Sequence, residues 1–207
     1  MVSGKLLMQE RNASSEAFKM TNHQIIGSAG DAGILERPRL ALLCSSKCPG
    51  NLILDLYELA RQFRQQGVTV ISGFHSPMEE ECLRILLRSP HPVIWGLARG
   101  LFKRIPKTPI DCRAAAAEGR LLIISPFKEK VVRVTAKTAQ LRSRFVADFA
   151  NALFIPHAAP GSRIETLARE LLAEGKKVYT FDHPENAALL DLGAKDIAVL
   201  DLTPYIA

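Results

Sequence analysis

The chain has 207 residues, of which 47% are apolar and 23% are charged, and its formal net charge is +6. These values are typical of a soluble globular protein of one domain, or of one domain with a tail. The sequence also excludes a membrane-spanning protein, because no apolar run in it approaches the roughly 20 residues that cross a bilayer.

Residues 1–37 show neither a helical nor a strand period and are rich in Ser, Asn, Gly and charge. Such a segment predicts a mobile or loosely docked N-terminal arm. An apolar stretch at Gln24–Ile26 indicates that part of the arm adds a strand to the fold. The main domain is predicted to cover residues 38–207.

From Pro38 onwards, short apolar runs alternate with amphipathic segments of helical period. Ser76 and Pro77 fit the start of a helix, and Gly67 fits the end of another. In chain order the predicted elements are strand 40–44, helix 51–66, strand 68–72, helix 77–88, strand 92–96, helix 110–118, strand 121–125, helix 138–149, strand 152–155, helix 162–174, strand 177–181 and helix 184–192.

Strands that alternate with helices require right-handed crossovers, and therefore a parallel sheet covered by helices on both faces. We predict an α/β fold with a doubly wound, mostly parallel sheet, which is a three-layer, extended Rossmann-like domain. Ligands of such sheets bind beyond the carboxyl ends of the strands. The residues that follow each strand are therefore the first candidates for a binding site.

The positive charge is concentrated between Arg99 and Arg144. This window holds twelve Lys or Arg residues and three acidic residues, a net charge of +9, which leaves −3 for the rest of the chain. A basic region on a neutral-to-acidic body suggests a polyanionic partner. Arginines spread over several faces for solubility would give the same count, so charge alone does not decide.

Four cysteines, Cys44, Cys48, Cys82 and Cys112, lack the paired spacing of a zinc site, and we predict no metal. The strand-like or helical surroundings of Cys44, Cys82 and Cys112 suit buried thiols. Free thiols of this kind indicate a reducing, cytoplasmic location.

Small polar residues follow the first two predicted strands. Ser45 and Ser46 come after the first, and Ser72 and Gly73 after the second. Backbone N–H groups and hydroxyls at such places can approach a phosphate closely. Tight turns between strand and helix need small residues for structural reasons alone, so each pair by itself is weak evidence.

Gly161 and Ser162 open the predicted helix 162–174, and Thr166 lies one turn further along. The unpaired N–H groups and the dipole of a helix N-terminus favour an anion. Ser162 as an N-cap, with Glu165 completing a capping box, explains the same residues without any ligand.

Arg142 and Arg144 lie on the helix that leads into strand 152–155. The arginine fork can bind two phosphate oxygens at once. Residues two apart on a helix point in different directions, so we expect one of the two to face a ligand. A solvated helix surface is the alternative for both.

A basic loop follows strand 92–96 and contains Lys103, Arg104 and Lys107. Phe102 and Phe127 flank the basic loops, and if exposed they would offer stacking surfaces to single-stranded bases. The loop is therefore a second candidate surface for phosphates or nucleic acid.

Catalytic signatures are lacking. The sequence contains no Walker loop, GxSxG elbow or HExxH helix. His157 follows strand 152–155, but neither an acid nor a nucleophile is paired with it, which favours a plain loop histidine over a general base. We predict a protein that is not an enzyme and binds no cofactor.

The order of these motifs resembles the Rossmann-like domain of the DNA-processing protein A family (DprA, also called Smf), over roughly residues 38–195. The resembling motifs are Ser72-Gly73, Ser125-Pro126-Phe127, Arg142-Ser143-Arg144, the run from Gly161 to Ala168, the strand Val178–Phe181 and Gly193-Ala194.

Two places depart from the family pattern. Its Gly-Ser-Arg after the first strand is Cys44-Ser45-Ser46 here, and its Gly-x-Ala-Arg-Gly-Ile-Asp run becomes Gly73 to Glu79 without the arginine. The resemblance is therefore to a divergent, minimal member that has the Rossmann-like domain without flanking accessory domains.

The resemblance implies binding of single-stranded DNA and its hand-over to the RecA recombinase during DNA uptake, usually as a homodimer. The regional charge agrees, because contacts to phosphates supply most nonspecific affinity. The predicted phosphate- or nucleic-acid-binding residues are Ser45, Ser46, Ser72, Gly73, Lys103, Arg104, Lys107, Arg142, Arg144, Gly161, Ser162 and Thr166.

Two alternatives come from other functional classes. A nucleotide-sensing domain of the same superfamily would hold a small nucleotide in the pocket. A nucleoside monophosphate phosphoribohydrolase shares the architecture and uses a Pro-Gly-Gly-x-Gly-Thr loop, of which Pro160 to Thr166 keeps only a part. We therefore expect the enzyme least of the three.

Overall fold

A computed structural model describes residues 24–103 and 112–206. Its centre is an eight-stranded sheet with the strand order β1-β5-β4-β3-β2-β6-β7-β8. The strands are β1 (Gly27–Ala29), β2 (Leu40–Leu42), β3 (Val70–Ser72), β4 (Val93–Gly96), β5 (Leu121–Ser125), β6 (Ala152–Phe154), β7 (Val178–Thr180) and β8 (Lys195–Asp196).

Helices connect the strands. They are α1 (Gly50–Gln66), α2 (Pro77–Leu86), α3 (Cys112–Ala117), α4 (Ala136–Asp148), α5 (Arg163–Ala173) and α6 (Ala187–Asp191). Ser76 and Ser162 are the N-caps of α2 and α5, and each side chain accepts the N–H of the third helical residue. None of the described helices is long and apolar enough to cross a membrane.

Helices cover both faces of the sheet, which confirms the predicted doubly wound α/β fold. Leu40 and Leu42 of β2 belong to one apolar cluster, which Leu56 of α1 and Leu83 of α2 complete. Ala41 points the other way, into a cluster built with residues of α4 and α5. Every residue of β2, β3, β5, β6 and β7 is buried, as expected for parallel strands packed on both faces.

The first strand differs from the prediction. It lies at Gly27–Ala29, three residues beyond Gln24–Ile26, and pairs antiparallel with β5. A 3-10 helix at Ala32–Glu36 follows and buries Ile34. The described part of the predicted arm is therefore docked on the sheet, held by backbone pairing that its Gly-Ser-Ala sequence does not signal. Residues 1–23 of that arm lie outside the described part of the chain.

The chain changes direction in the sheet at β2. From β2 it proceeds through β3 and β4 to β5 on one side, then returns to add β6 on the other side of β2. The connections that leave β2 and β6 therefore diverge and leave a crevice at the carboxyl ends of these two strands, which is the preferred ligand position in open α/β sheets.

We expect Leu153→Ala to lower the free energy of unfolding by about 2–5 kcal/mol, because it opens a cavity in a fully buried central strand. Leu54→Ala is the matched control, since Leu54 is 71% exposed on α1, and it should change stability by less than about 0.5 kcal/mol. Urea denaturation measures both. Equal losses would contradict the packing of β6 described above.

Candidate functional site

A cavity of about 620 Å³ lies in the crevice between β2 and β6. The segment after β2, the start of α2, the first half of α4 and the start of α5 surround it. Of the residues predicted from the sequence, Ser45, Ser46, Arg142, Arg144 and Ser162 border this cavity.

Ser45 ties together the two loops that leave the crevice. Its N–H donates to the carbonyl of His157 (3.1 Å), and its hydroxyl accepts the N–H of Ala159 (3.1 Å). The same hydroxyl lies 3.2 Å from the Ser162 hydroxyl. Ser45 is thus a buried structural link, whereas Ser46 beside it is exposed to the cavity.

Hydrogen bonds between neighbouring residues hold the turn before α5 in its conformation. The Ser162 hydroxyl accepts the N–H of Glu165 at 3.2 Å. The Glu165 carboxylate accepts the N–H of Gly161 (2.6 Å), one residue before the position that a capping box would use. The Thr166 hydroxyl donates to the carbonyl of Ser162 at 3.2 Å. Neither Gly161 nor Thr166 borders the cavity.

Glu79 is a buried carboxylate that the sequence does not identify as part of the site. Its two oxygens accept the N–H of Cys44 (2.8 Å) at the end of β2 and the N–H of His75 (2.9 Å) before α2. The sequence places it only as the third residue of a helix capped by Ser76. The position of Glu79 three residues after the N-cap Ser76, at the start of a helix that is buried, is the sequence signal that could have identified it.

Arg142 lies on α4 and is buried, with 6% of its surface exposed. Its guanidinium rests directly on the backbone of Gly73, where a Cβ atom on that glycine would overlap it. The Nε–H is buried and has no hydrogen-bond partner among the described residues. Burial lowers the pKa of Arg142, and the negative charge of Glu79 opposes that effect.

Arg144 is occupied by carboxylates. Its Nε lies 3.0 Å from Asp148 on the same helix, and its two terminal nitrogens each lie 2.7 Å from the Glu174 carboxylate at the end of α5. The hydrogen bonds to Glu174 are the main reason that the pKa of Arg144 is raised. The predicted phosphate-binding role of Arg144 is therefore not what the geometry favours, since its fork already holds two acidic side chains.

Ser72 and Gly73 lie behind Arg142. The Ser72 hydroxyl accepts the N–H of Phe74 at 3.2 Å, and the Gly73 carbonyl accepts the indole N–H of Trp95 at 3.0 Å. These contacts hold the turn after β3 in place, including Phe74 at a φ of 43°. Gly73 therefore matters because it lets the Arg142 guanidinium lie against the main chain.

Lys103 is exposed in the loop after β4 and does not border the cavity. Arg104 and Lys107 lie outside the described residues. The cavity border instead includes charged and polar residues that the sequence analysis did not single out as candidates: Lys47, His75, Lys137, Arg163 and Glu170.

The structure also places the aromatic residues and the histidine that the sequence analysis considered. Phe127 is buried and therefore offers no stacking surface. Its N–H donates to the Ser125 hydroxyl at 3.0 Å. Phe102 packs against Trp95 with ring centroids 5.8 Å apart. His157 is buried and contacts Asn186 at 3.1 Å, which matches a structural histidine.

The arrangement can hold an anion. The cavity is lined by the buried Arg142 guanidinium, whose Nε–H has no hydrogen-bond partner among the described residues, by exposed lysine and arginine side chains and by a helix N-terminus. This combination suits phosphate groups. Within residues 24–103 and 112–206, no group of three or more His, Cys, Asp or Glu side chains is placed to hold a metal ion.

Comparison with solved structures gives, among others, two proteins with the same fold. DNA processing protein A of Streptococcus pneumoniae superposes with a TM-score of 0.68 at 17% identity, over 82% of this chain and 62% of that chain. DNA processing protein A of Helicobacter pylori superposes with a TM-score of 0.68 at 18% identity, over 85% of this chain and 82% of that chain.

A more distant likeness is the molybdenum cofactor binding protein of Rippkaea orientalis, with a TM-score of 0.50 at 10% identity over 75% of this chain and 84% of that chain. At these identities the superpositions show the fold alone. The search of curated proteins finds no match.

Comparison of the sequence with family models shows the family of the chain, which the superpositions alone do not. The model of the DNA recombination-mediator protein A family matches residues 16–197, which include every strand and helix around the cavity. The chain belongs to the DNA recombination-mediator protein A family.

Proposed function

We propose that this protein binds single-stranded DNA and holds a backbone phosphate in the cavity between β2 and β6. The observation that carries the proposal is Arg142, whose guanidinium is buried at the cavity and whose Nε–H has no hydrogen-bond partner in the described part of the chain. A buried cation that is not fully paired destabilises the free protein, and an anionic ligand would relieve that cost.

The family and the charge support a nucleic acid as the source of that phosphate. The Helicobacter pylori protein of the same fold binds single-stranded DNA. Lys137, on the cavity border, belongs to the window of net charge +9, which suits a polyanionic ligand. Family membership also favours a binding role in DNA processing over catalysis.

The residues around Arg142 would have different roles in binding a phosphate. Ser46, Ser162 and the N-terminus of α5 would contact phosphate oxygens, and Lys47 and Arg163 would screen the charge of neighbouring phosphates. Ser45 and Glu79 would act through the shape that they give to the loops. Lys103 would contact DNA that extends beyond the cavity. Arg104 and Lys107 remain proposed DNA-binding residues from the sequence.

Three finer statements extend the proposal. We propose that the protein passes single-stranded DNA to the RecA recombinase, acts as a homodimer and works in the cytoplasm. Co-sedimentation with RecA on a single-stranded oligonucleotide tests the first, and light scattering of the purified chain tests the second.

A single nucleotide is the competing ligand, because a cavity of about 620 Å³ falls within the size range of small-molecule sites. Saturable binding of one mononucleotide, with no affinity for an oligonucleotide, would replace single-stranded DNA by this ligand. Release of a free base from a nucleoside monophosphate would instead identify a phosphoribohydrolase.

We expect Arg142→Met to weaken binding of a fluorescent single-stranded oligonucleotide by about tenfold or more, since a hydrogen bond to a charged group contributes about 1.5–3 kcal/mol. The slope of log K against log salt should shrink by roughly 0.7, the value of one phosphate contact. Fluorescence anisotropy at several salt concentrations measures both quantities.

The control for this experiment is Arg61→Met, which removes the same charge from the exposed surface of α1, where Arg61 pairs with Glu58 at 2.8 Å. It should leave the affinity within about twofold of the unmodified chain. If both variants weaken binding equally, general charge rather than the cavity carries the affinity.

Gly73→Ala should reduce oligonucleotide affinity about as much as Arg142→Met, because the new methyl group would occupy the place of the guanidinium and displace it. Gly50→Ala is the control, since a Cβ atom there meets nothing within 4 Å. Full affinity in Gly73→Ala, measured by the same anisotropy titration, would show that the position of the guanidinium does not matter.

The two arginines should differ in stability. Arg142→Met should leave the free energy of unfolding within about 1 kcal/mol of the unmodified chain, because it replaces a buried, incompletely paired cation by an apolar group. Arg144→Met should lower it by about 1–3 kcal/mol, since it removes the ion pairs of Arg144 with Asp148 and Glu174. Urea denaturation distinguishes the two, and an equal loss would contradict the incomplete pairing of Arg142.

A further inference from the structure

We propose that a base of the bound single-stranded DNA stacks on the guanidinium of Arg99, at a second contact surface beyond the carboxyl ends of β4 and β5. The inference rests on the proposed function and adds to it a contact with a base rather than with a phosphate. Arg99 follows β4 and does not border the cavity.

Arg99 forms a cation–π pair with Phe102. The central carbon of its guanidinium lies 5.0 Å from the centre of the Phe102 ring, and both residues are partly exposed. The buried Nε–H of Arg99 has no hydrogen-bond partner among the described residues. This guanidinium therefore rests on an aromatic ring, in contrast to that of Arg144, which binds two carboxylates.

Trp95 connects this pair to the cavity. The rings of Trp95 and Phe102 have centroids 5.8 Å apart, and the indole N–H donates to the Gly73 carbonyl at 3.0 Å. The backbone of Gly73 also carries the guanidinium of Arg142. A continuous series of contacts therefore joins Arg99 to the arginine of the cavity.

The loop that follows β5 fixes the backbone at Arg99. The Ser125 hydroxyl donates to the Arg99 carbonyl at 2.6 Å, and the Gly100 N–H donates to the Val131 carbonyl at 2.8 Å. A Cβ atom on Gly100 would lie 2.5 Å from the carbonyl oxygen of Lys128, so a glycine is needed for this close approach. Because the backbone is already held, contact with a ligand costs less conformational entropy.

The surroundings of Arg99 are positively charged. In the described parts of the loops after β4 and β5, four basic residues and one acidic residue are exposed: Lys103, Lys128, Lys130, Arg133 and Glu129. Such cations can contact the phosphates on either side of a base at Arg99. The surface thus offers both of the contacts that proteins use to bind single-stranded nucleic acid, a positively charged track and a platform for stacking.

This surface lies within reach of DNA that occupies the cavity. In the sheet, β4 is the second neighbour of β2, so the ends of these two strands are about 10 Å apart at the usual strand spacing. A few nucleotides of extended single-stranded DNA cover that distance along the carboxyl edge of the sheet. One DNA molecule can therefore place a phosphate in the cavity and a base at Arg99.

The chemistry of arginine favours a base as the group that contacts Arg99. A guanidinium is planar and weakly hydrated, and bases of single-stranded nucleic acids stack on such planes. One face of the Arg99 guanidinium lies over the Phe102 ring, so a base would use the opposite face. This contact would tolerate any base sequence, because every base has a π face.

The test compares two labelled oligonucleotides of equal length, an oligothymidylate and a fully abasic strand with the same phosphates. Fluorescence anisotropy gives the affinity of the full chain for each, and their ratio isolates the contribution of the bases. We expect the unmodified chain to bind the oligothymidylate about tenfold or more tightly than the abasic strand, since stacking contributes about 1–3 kcal/mol per base.

Arg99→Lys keeps the positive charge and removes the planar group. We expect it to lower the affinity ratio by about fivefold or more, the effect of one lost stacking contact. Arg61→Lys is the matched control, because Arg61 is exposed on α1 and pairs with Glu58 at 2.8 Å. The control should leave the ratio within about twofold of its value in the unmodified chain.

Phe102→Leu tests the support of the guanidinium by the ring. It should lower the affinity ratio in the same direction as Arg99→Lys, because leucine offers no π face. Phe181→Leu is the control, since Phe181 follows β7, is also partly exposed and contacts Phe154 with ring centroids 5.1 Å apart. It should leave the ratio unchanged within about twofold.

An unchanged ratio in Arg99→Lys would overturn the inference, and so would an equal fall in Arg61→Lys. An unchanged ratio in Phe102→Leu would refute the support by the ring. A chain that binds neither oligonucleotide refutes the proposed function, and the base contact with it. A chain that binds both oligonucleotides equally retains the proposed function and refutes the base contact alone.

Discussion

The carboxylate of Glu79 joins the end of β2 to the turn after β3, through the N–H groups of Cys44 and His75. This one side chain therefore sets the spacing of the two loops that form one wall of the crevice. Its negative charge also favours the charged form of the buried Arg142. Without a buried acceptor at this point, two backbone donors would lose their partners and Arg142 would lose an opposing charge.

Arg142 and Gly73 show how the crevice accommodates a buried charge. The glycine in the turn after β3 makes room for the guanidinium of an arginine on α4 that is 6% exposed. The charge remains incompletely paired, which natural cores avoid unless a ligand completes it. The candidate site thus combines a framework of backbone hydrogen bonds with a buried guanidinium whose Nε–H has no partner among the described residues, an arrangement that suits a phosphate.

Sequence reasoning recovered the parts of the site that depend on local order. Small residues after the first strand predicted Ser45 and Ser46 at the sheet edge, because the carboxyl ends of parallel strands share one edge, and the start of helix 162–174 predicted Ser162; all three border the cavity. The helical spacing of Arg142 and Arg144 predicted that they point in different directions. It did not reveal which of them pairs with carboxylates, since that choice rests on residues up to 30 positions away.

The sequence by itself determined the alternation of strands and helices, the doubly wound sheet and the edge at which the cavity lies, because apolar period and turn residues act over short distances. Only the tertiary structure decided the antiparallel pairing of β1, the bridging role of Glu79 and the pairing state of each arginine. Those features depend on contacts between segments far apart in the chain, where burial removes water and the available partner determines whether a polar group is satisfied.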